Sequence, residues 1–487
     1  MKKVTIGLCA ALLALATHAA GKAPRPNVIL CMADDLGWGC VGYNGNAVIK
    51  TPHLDVMAKE GVRFDRFYAA APVCSPTRAS CLNGRHPYRT GVFYANTGIL
   101  RPEEITLAEV LKEQGYATGH FGKWHLGTFT NDESDANRGG GKHPELLNPP
   151  SLHGFDTYFS TESKVPTWDP MLKPKKFKKP ESLKFGWNSV AAADAEHYGT
   201  FYWTPEGKAS DNLAGDDSRV IMDRAIPFIE TAAKNKQPFF AVIWFHAPHL
   251  PCVAGPEYAE MYKAEDFKMQ QYAGCITALD DQMGRLRAKL KALGIDGNTM
   301  LFFTSDNGPE NGTPGDAGPY RARKRSLYEG GVRVPGLMTW PNGVKQPMVT
   351  DAPVVTSDYL PTVVDALGID LPANALDGTS ILPLLEGKKF TRPAPIGFAS
   401  AGQQAFSDHT YTLYAKGGKV ELYDMETDPS EKSNIAKKYP EVVQKLQAQF
   451  DTWYNSCKES FEGGEYGTTS LKKVPQQWPG SKKKKTR

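Results

Sequence analysis

Two apolar runs each stop at a pair of oxygen-bearing side chains. Asn27–Ala33 reads as a buried strand and ends at Asp34-Asp35; the run 299–304 leads to Asp306-Asn307. Carboxylates and an amide are hard oxygen donors, which suit calcium or magnesium rather than zinc. Adjacent aspartates also serve as caps and turn formers. The second carboxylate–amide pair at another strand end favours a metal. Arg78, Lys123 and Lys324 are candidates to hold an anion, because fixed cations in a water-poor site stabilise charge developing on a reacting group. A single lysine is ordinarily solvated, and Lys324 stands among Arg321, Arg323 and Arg325. His125 and His249 follow apolar runs and are suited to move protons near neutral pH. Either one alone is more often a hydrogen-bonded structural histidine; His246 reads as structural.

These groups need elements to bring them together. The run 116–121 leads into Gly122-Lys123-Trp124-His125-Leu126-Gly127, and 239–245 leads to His246 and His249. Helical patterns over 106–114, 218–234 and 265–293 lie between the runs. Strands alternating with helices imply an α/β fold with a mostly parallel central sheet flanked by helices. Such sheets bind ligands beyond the carboxyl ends of their strands, so four strand ends fit one shared site. Beyond about residue 390 the pattern changes. The stretches 410–415 and 420–423 read as antiparallel strands around Gly417-Gly418, followed by a helix over 440–454.

Residues 74–85 read Cys-Ser-Pro-Thr-Arg-Ala-Ser-Cys-Leu-Asn-Gly-Arg. Taken alone, the five-residue core could be a turn with an ordinary buried cysteine. The longer stretch resembles the signature of the type I sulfatases. So do the Gly-Lys-Trp-His-Leu-Gly segment, Ala247-Pro248-His249-Leu250-Pro251, and Glu329-Gly330-Gly331 followed by Arg333-Val334-Pro335. The matched motifs run from about Asn27 to Pro335. Glu421-Leu422-Tyr423-Asp424, Asp428-Pro429 and Glu431 more weakly resemble the family's small C-terminal domain. The resemblance implies an alkaline-phosphatase-like core and a C-terminal α+β subdomain with a short antiparallel sheet. It implies that a maturation enzyme oxidises Cys74 to formylglycine. It also implies that Asp34, Asp35, Asp306 and Asn307, with the oxygen at position 74, bind calcium in preference to magnesium. By the same resemblance Lys123, Lys324 and His249 hold the sulfate, and Arg78 belongs to the catalytic set. The resemblance further implies that one hydroxyl of hydrated formylglycine attacks sulfur with help from Asp306, that His249 then protonates the leaving alcohol, and that His125 takes the proton that lets the diol collapse and expel sulfate. The likeness is to the arylsulfatase and N-acetylgalactosamine-6-sulfatase type, and a sulfated carbohydrate is the expected substrate. Two rivals remain: a phosphodiester or phosphonate monoester hydrolase of the same superfamily, and a non-catalytic polyanion-binding protein with an unmodified Cys74.

The 487 residues allow a large core and two domains. A net charge of +4 is too mild to suggest nucleic-acid binding. Lys2 and Lys3 precede an apolar stretch too short to span a bilayer, and Thr17-His18-Ala19-Ala20 offers a cleavage site. Residues 1–20 therefore read as a signal peptide for the secretion machinery, and no other run is long enough to cross a membrane. The mature protein is expected to be periplasmic or secreted. The expected organisation is a catalytic domain over 21–390, a C-terminal subdomain over 391–462 and a mobile basic tail over 463–487. The cysteines allow one or more disulfides of unknown connectivity. Segment 173–184 holds six lysines and reads as an exposed loop. It is either merely solvated or, with Trp168, Trp187, Tyr202 and Trp203 as sugar-stacking faces, part of substrate recognition.

Overall fold

The computed structural model describes residues 25–466 and 477–479. The signal-peptide expectation for 1–20 and most of the tail lie outside them. Five parallel strands form the middle of a ten-stranded sheet. They are β1 (Asn27–Ala33), β2 (Ala117–Lys123), β3 (Thr157–Thr161), β4 (Phe239–Trp244) and β5 (Thr299–Ser305). Their order is β5-β1-β4-β2-β3. Gly336–Thr339 pairs antiparallel with β5, and Tyr202–Thr204 pairs antiparallel with β3. Every residue of β1, β4 and β5 is buried. Both faces are therefore covered, which is why these strands read as continuous apolar runs.

Alternate residues of β1 enter different cores. Ile29, Cys31 and Ala33 pack with α3 (Asp217–Lys234) and α4 (Phe267–Ala292). Val28, Leu30 and Met32 pack on the opposite face, where α2 (Leu107–Glu113) and α5 (Tyr359–Leu367) contribute Leu111 and Val363. This is the period-two alternation of a strand. Thr106 starts α2 with a capping box to Glu109. The helix α1 (Cys74–Asn83) precedes it in the chain.

A separate four-stranded antiparallel sheet joins β6 (Ile396–Ser400), β7 (Gln403–Ser407), β8 (Tyr411–Lys416) and β9 (Lys419–Asp424) in sequential order. The β8–β9 hairpin sits where the sequence places it, and β6 and β7 extend it. The last helix, α6 (Pro440–Phe461), runs past residue 454 and packs Leu446 and Phe450 against Phe406, Leu413 and Leu422. From the tail, Trp478 packs against Tyr88, Phe93 and Tyr454.

Two expectations need correction. All seven described cysteines are buried free thiols, so no disulfide is present among the described residues. Segment 173–184 is not wholly loop, because Leu172–Pro174 pairs antiparallel with Ala195–His197. Trp187 and Tyr202 are buried, and the buried Trp203 donates its indole N–H to Asp135. These three rings belong to the interior and offer no stacking face.

Candidate active site

The Cys-x-Pro-x-Arg motif is the first turn of α1. Cys74 and Arg78 are four residues apart and so lie on one face of the helix. Pro76 sits within the first turn, where backbone N–H groups have no intrahelical partner to lose. All ten helical residues are buried despite their polarity. Thr77 Oγ1 accepts from Ala71 N and donates to Ala71 O, tying the incoming loop to the helix.

The ends of β1, β2 and β5 bring carboxylates and cations to this face. Arg78 Nη2 donates to Asp306 Oδ2 at 2.7 Å and lies 3.4 Å from Asp34 Oδ2, while Nη1 donates to Lys123 O. Lys123 Nζ donates to Asp34 Oδ2 at 2.6 Å, and Lys324 Nζ to Asp35 Oδ1 at 2.5 Å. Asn307 Nδ2 also donates to Asp35 Oδ1, at 2.6 Å. Asp35 holds a left-handed backbone at φ 66, and its N–H donates to Asp306 Oδ1. Close approach sets the glycines beside these groups. A Cβ on Gly122 would meet Trp244 O at 1.9 Å, and one on Gly308 would meet Gly330 O at 2.0 Å.

Three oxygens in this network are buried without a hydrogen-bond partner: Asp34 Oδ1, Asp35 Oδ2 and Asn307 Oδ1. Asp34, Asp306 and Cys74 offer ligand atoms all within 4.8 Å of one another. So do Asp34, Asp35 and His249. Unpaired buried oxygens are costly unless something positive meets them. The donor set therefore fits a hard divalent cation. Burial alone would raise Asp34, but the charges of Lys123, Arg78 and Lys324 outweigh it and hold its carboxyl well below the ordinary range. Burial, then the charge of Asp34, pushes Asp306 up to about 7. A cation between them would relieve that repulsion. Burial also pushes the Cys74 thiol up, so it is protonated at neutral pH.

The two histidines have distinct tautomers. Asn96 Oδ1 accepts from Asn137 Nδ2 and lies 2.6 Å from His125 Nε2. That places the proton of neutral His125 on Nε2. Its Nδ1 is buried without a partner and keeps a free lone pair. His249 faces the carbonyl of Leu250 with Nδ1 at 2.7 Å, and its Nε2 lies 3.7 Å from Asp35 Oδ2. Burial lowers both imidazoles well below their ordinary range. His246 is bonded to Asp217 and Thr161, a structural arrangement.

Cys74, Lys123, His125, His249 and Lys324 line one cavity of about 570 Å³. All ten expected site residues converge on it or on the network beneath it. Sequence patterns do not single out Asn96, Lys164 or Glu310. Asn96 follows the short stretch Val92-Phe93-Tyr94-Ala95, which forms neither helix nor strand, and the other two lie in polar loops whose site-facing direction only the fold decides.

A family model described as Sulfatase matches residues 26–369. The N-acetylgalactosamine-6-sulfatase of Sus scrofa is 33% identical over 398 residues, covering 77% of this chain and 68% of that protein. An ulvan-active sulfatase of Formosa agariphila is 29% identical over 474 residues, covering 91% and 83%. The solved structure of Ps i-CgsB in complex with a neocarrahexaose superimposes with a TM-score of 0.74 at 27% identity, covering 88% and 93% of the two chains. A phosphonate monoester hydrolase of Agrobacterium radiobacter, at 19% identity and a TM-score of 0.63, shares the fold. By the extent of the family match and the identity to its members, the chain belongs to the sulfatase family and is an enzyme that hydrolyses sulfate esters.

Proposed function

We propose that this sulfatase desulfates a sulfated carbohydrate, with Cys74 matured to formylglycine and a divalent cation held by Asp34, Asp35, Asp306 and Asn307. One juxtaposition carries the proposal: the Cys74 sulfur lies within 4.8 Å of carboxylate oxygens of Asp34 and Asp306, and Cys74 lines one cavity with Lys123, His125, His249 and Lys324. The all-oxygen donor set favours calcium, with magnesium second, because calcium accepts more and less regular oxygen ligands. A buried neutral thiol is a weak nucleophile and a poor partner for a hard cation. An oxygen at position 74 suits the surrounding carboxylates better. When present, the cation and the hydrated aldehyde would supply, respectively, charge neutralisation and the oxygen nucleophile for attack on sulfur.

The other roles belong to encoded side chains. Lys123 and Lys324 hold the sulfate oxygens at the cavity wall. Arg78 fixes Asp34 and Asp306 from below and does not line the cavity. His249 presents Nε2 and, once protonated beside the incoming anion, donates to the leaving alcohol. His125 takes a proton at Nδ1 from the group at position 74. Cys74 and the rest of α1 are buried, so the maturation enzyme must act before this helix packs.

Support for a carbohydrate substrate comes from relatives. The names of similar proteins specify N-acetylgalactosamine 6-sulfate, ulvan and a neocarrahexaose. The phosphonate hydrolase likeness concerns the fold alone. A signal peptide over 1–20 and secretion remain part of this proposal, as do the boundaries at about 390 and 462. Among the described residues no helix is long and apolar enough to cross a membrane.

Sulfate release from defined sulfated saccharides tests the proposal, alongside matched phosphate and phosphonate esters. At least one saccharide should lose sulfate, and chelation should abolish the activity. Calcium should restore it better than magnesium. Faster turnover of the phosphorus esters, or full activity in enzyme shown metal-free by elemental analysis, would contradict it.

A further inference from the structure

The cavity beside Cys74 contains two lysines that the chemistry above does not use. Lys164 lies three residues beyond β3, and Lys184 ends the basic segment; both line the cavity with His249 and Lys324. The neighbouring cations are already paired. Lys123 bonds Asp34, Lys324 bonds Asp35, and Arg325 grips both oxygens of Glu310. Glu310 is the one acid lining this cavity among the described residues, and its charge is thus engaged.

Lys164 and Lys184 have no hydrogen bond or ion pair among the described residues, although the Lys184 ammonium lies 4.8 Å from the Phe185 ring centroid. Lys164 is half-buried, and Lys184 is exposed at the mouth. Burial, with Lys123 and Lys324 nearby, lowers the Lys164 ammonium below the ordinary lysine range. It shares the cavity wall with His249, the proposed proton donor to the leaving alcohol. A half-buried ammonium without a counter-ion carries a desolvation cost that an arriving anion would offset.

We propose that this end of the cavity binds a second anionic group of the substrate, with Lys164 as the principal contact and Lys184 at the mouth. The proposal rests on the sulfated-carbohydrate reading and narrows it to polyanionic saccharides. The second anion is a sulfate ester or a carboxylate, on the same sugar or the next. This relocates the expected role of segment 173–184. Lys175, Lys176, Lys178 and Lys179 are exposed and do not line the cavity; only Lys184 does.

The test uses the mature, metal-loaded enzyme hydrolysing nitrophenyl sulfate. Inhibition constants, or KM values if the sugars are turned over, are compared for N-acetylgalactosamine 6-sulfate, the corresponding disulfate, and the monosulfate linked to glucuronic acid. At low salt at least one doubly charged sugar should bind about tenfold more tightly than the monosulfate. Whichever it is identifies the preferred anion. The advantage should fall about fivefold in K164Q and about twofold in K184Q, survive in K164R, and shrink at high ionic strength. Equal affinity for all three sugars in the parent enzyme would overturn the proposal, and this arm needs no variant to fold. An equal loss for all three sugars in K164Q would also overturn it, by assigning Lys164 to the scissile sulfate or to the fold. Nitrophenyl sulfate hydrolysis without inhibition or turnover of any sugar would remove the carbohydrate reading and the proposal together.

Discussion

His125 is buried and His249 partly buried, and their partners suit them to the opposite tasks proposed for them. His125 spends its N–H on Asn96 and keeps a lone pair at Nδ1. His249 faces a backbone carbonyl with Nδ1 and directs Nε2 toward Asp35. A general acid matters most when the leaving group is poor. His249→Ala should therefore slow sugar-sulfate hydrolysis by about 10²–10⁴-fold, while an activated aryl sulfate should lose roughly tenfold or less. Measuring kcat on both substrates decides this; equal losses would assign His249 to binding or structure. The sequence places both histidines after strands but cannot supply their tautomers. Asn96, which fixes one of them, comes from a loop with no periodic pattern.

At the scale of elements, the site depends on where strands stop and how α1 is held. Three of the five parallel strands are legible because burial on both faces makes them continuous apolar runs, and β2 is legible from the run 116–121 that leads into Gly122-Lys123-Trp124-His125. The fifth, β3, has threonines at both ends and a serine within, and it lacks that signal. The helix α1 was hidden for a related reason: its buried residues are largely polar, so no amphipathic stripe marks it. Just beyond α1, His86 caps the helix Pro87–Thr90 and meets Trp453 of α6 edge-on, with ring centroids 4.8 Å apart. Burial lowers His86 from 6.5 to about 3. It is thus neutral in the fold, whereas the unfolded chain takes up a proton below pH 6.5. Its contribution is complete above pH 6.5 and declines as the pH falls toward 3. The loss should be about 2 kcal/mol at pH 5. His86→Asn keeps a capping acceptor and removes the titration. Denaturant unfolding at pH 7 and pH 5 should show a smaller decline in this variant, by roughly that amount. An unchanged decline would mean that other groups set the acid sensitivity.

Across the whole molecule, the small sheet braces the catalytic face as well as covering it. Gln403 of β7 donates to Arg325 O and accepts from Leu327 N, and Arg321 donates to Tyr423 Oη of β9. These contacts hold the loop that carries Lys324. On the other side Asp377 accepts from Arg89 and from Trp453 of α6. The C-terminal residues thus help set the geometry of a site whose candidate residues all come from earlier in the chain. That dependence is invisible in motifs, which record the ligands and not their supports. The account turns on position 74, where an encoded thiol is buried among carboxylates and cations. The most direct test is peptide mass spectrometry across residue 74 of active enzyme made in its own host. The expected peptide has lost sulfur and two hydrogens and gained oxygen, and turnover scales with its fraction. Cys74→Ala should fold with a similar melting temperature and lose roughly 10³-fold or more of the activity. Full turnover by enzyme whose Cys74 remains an intact thiol would contradict the account.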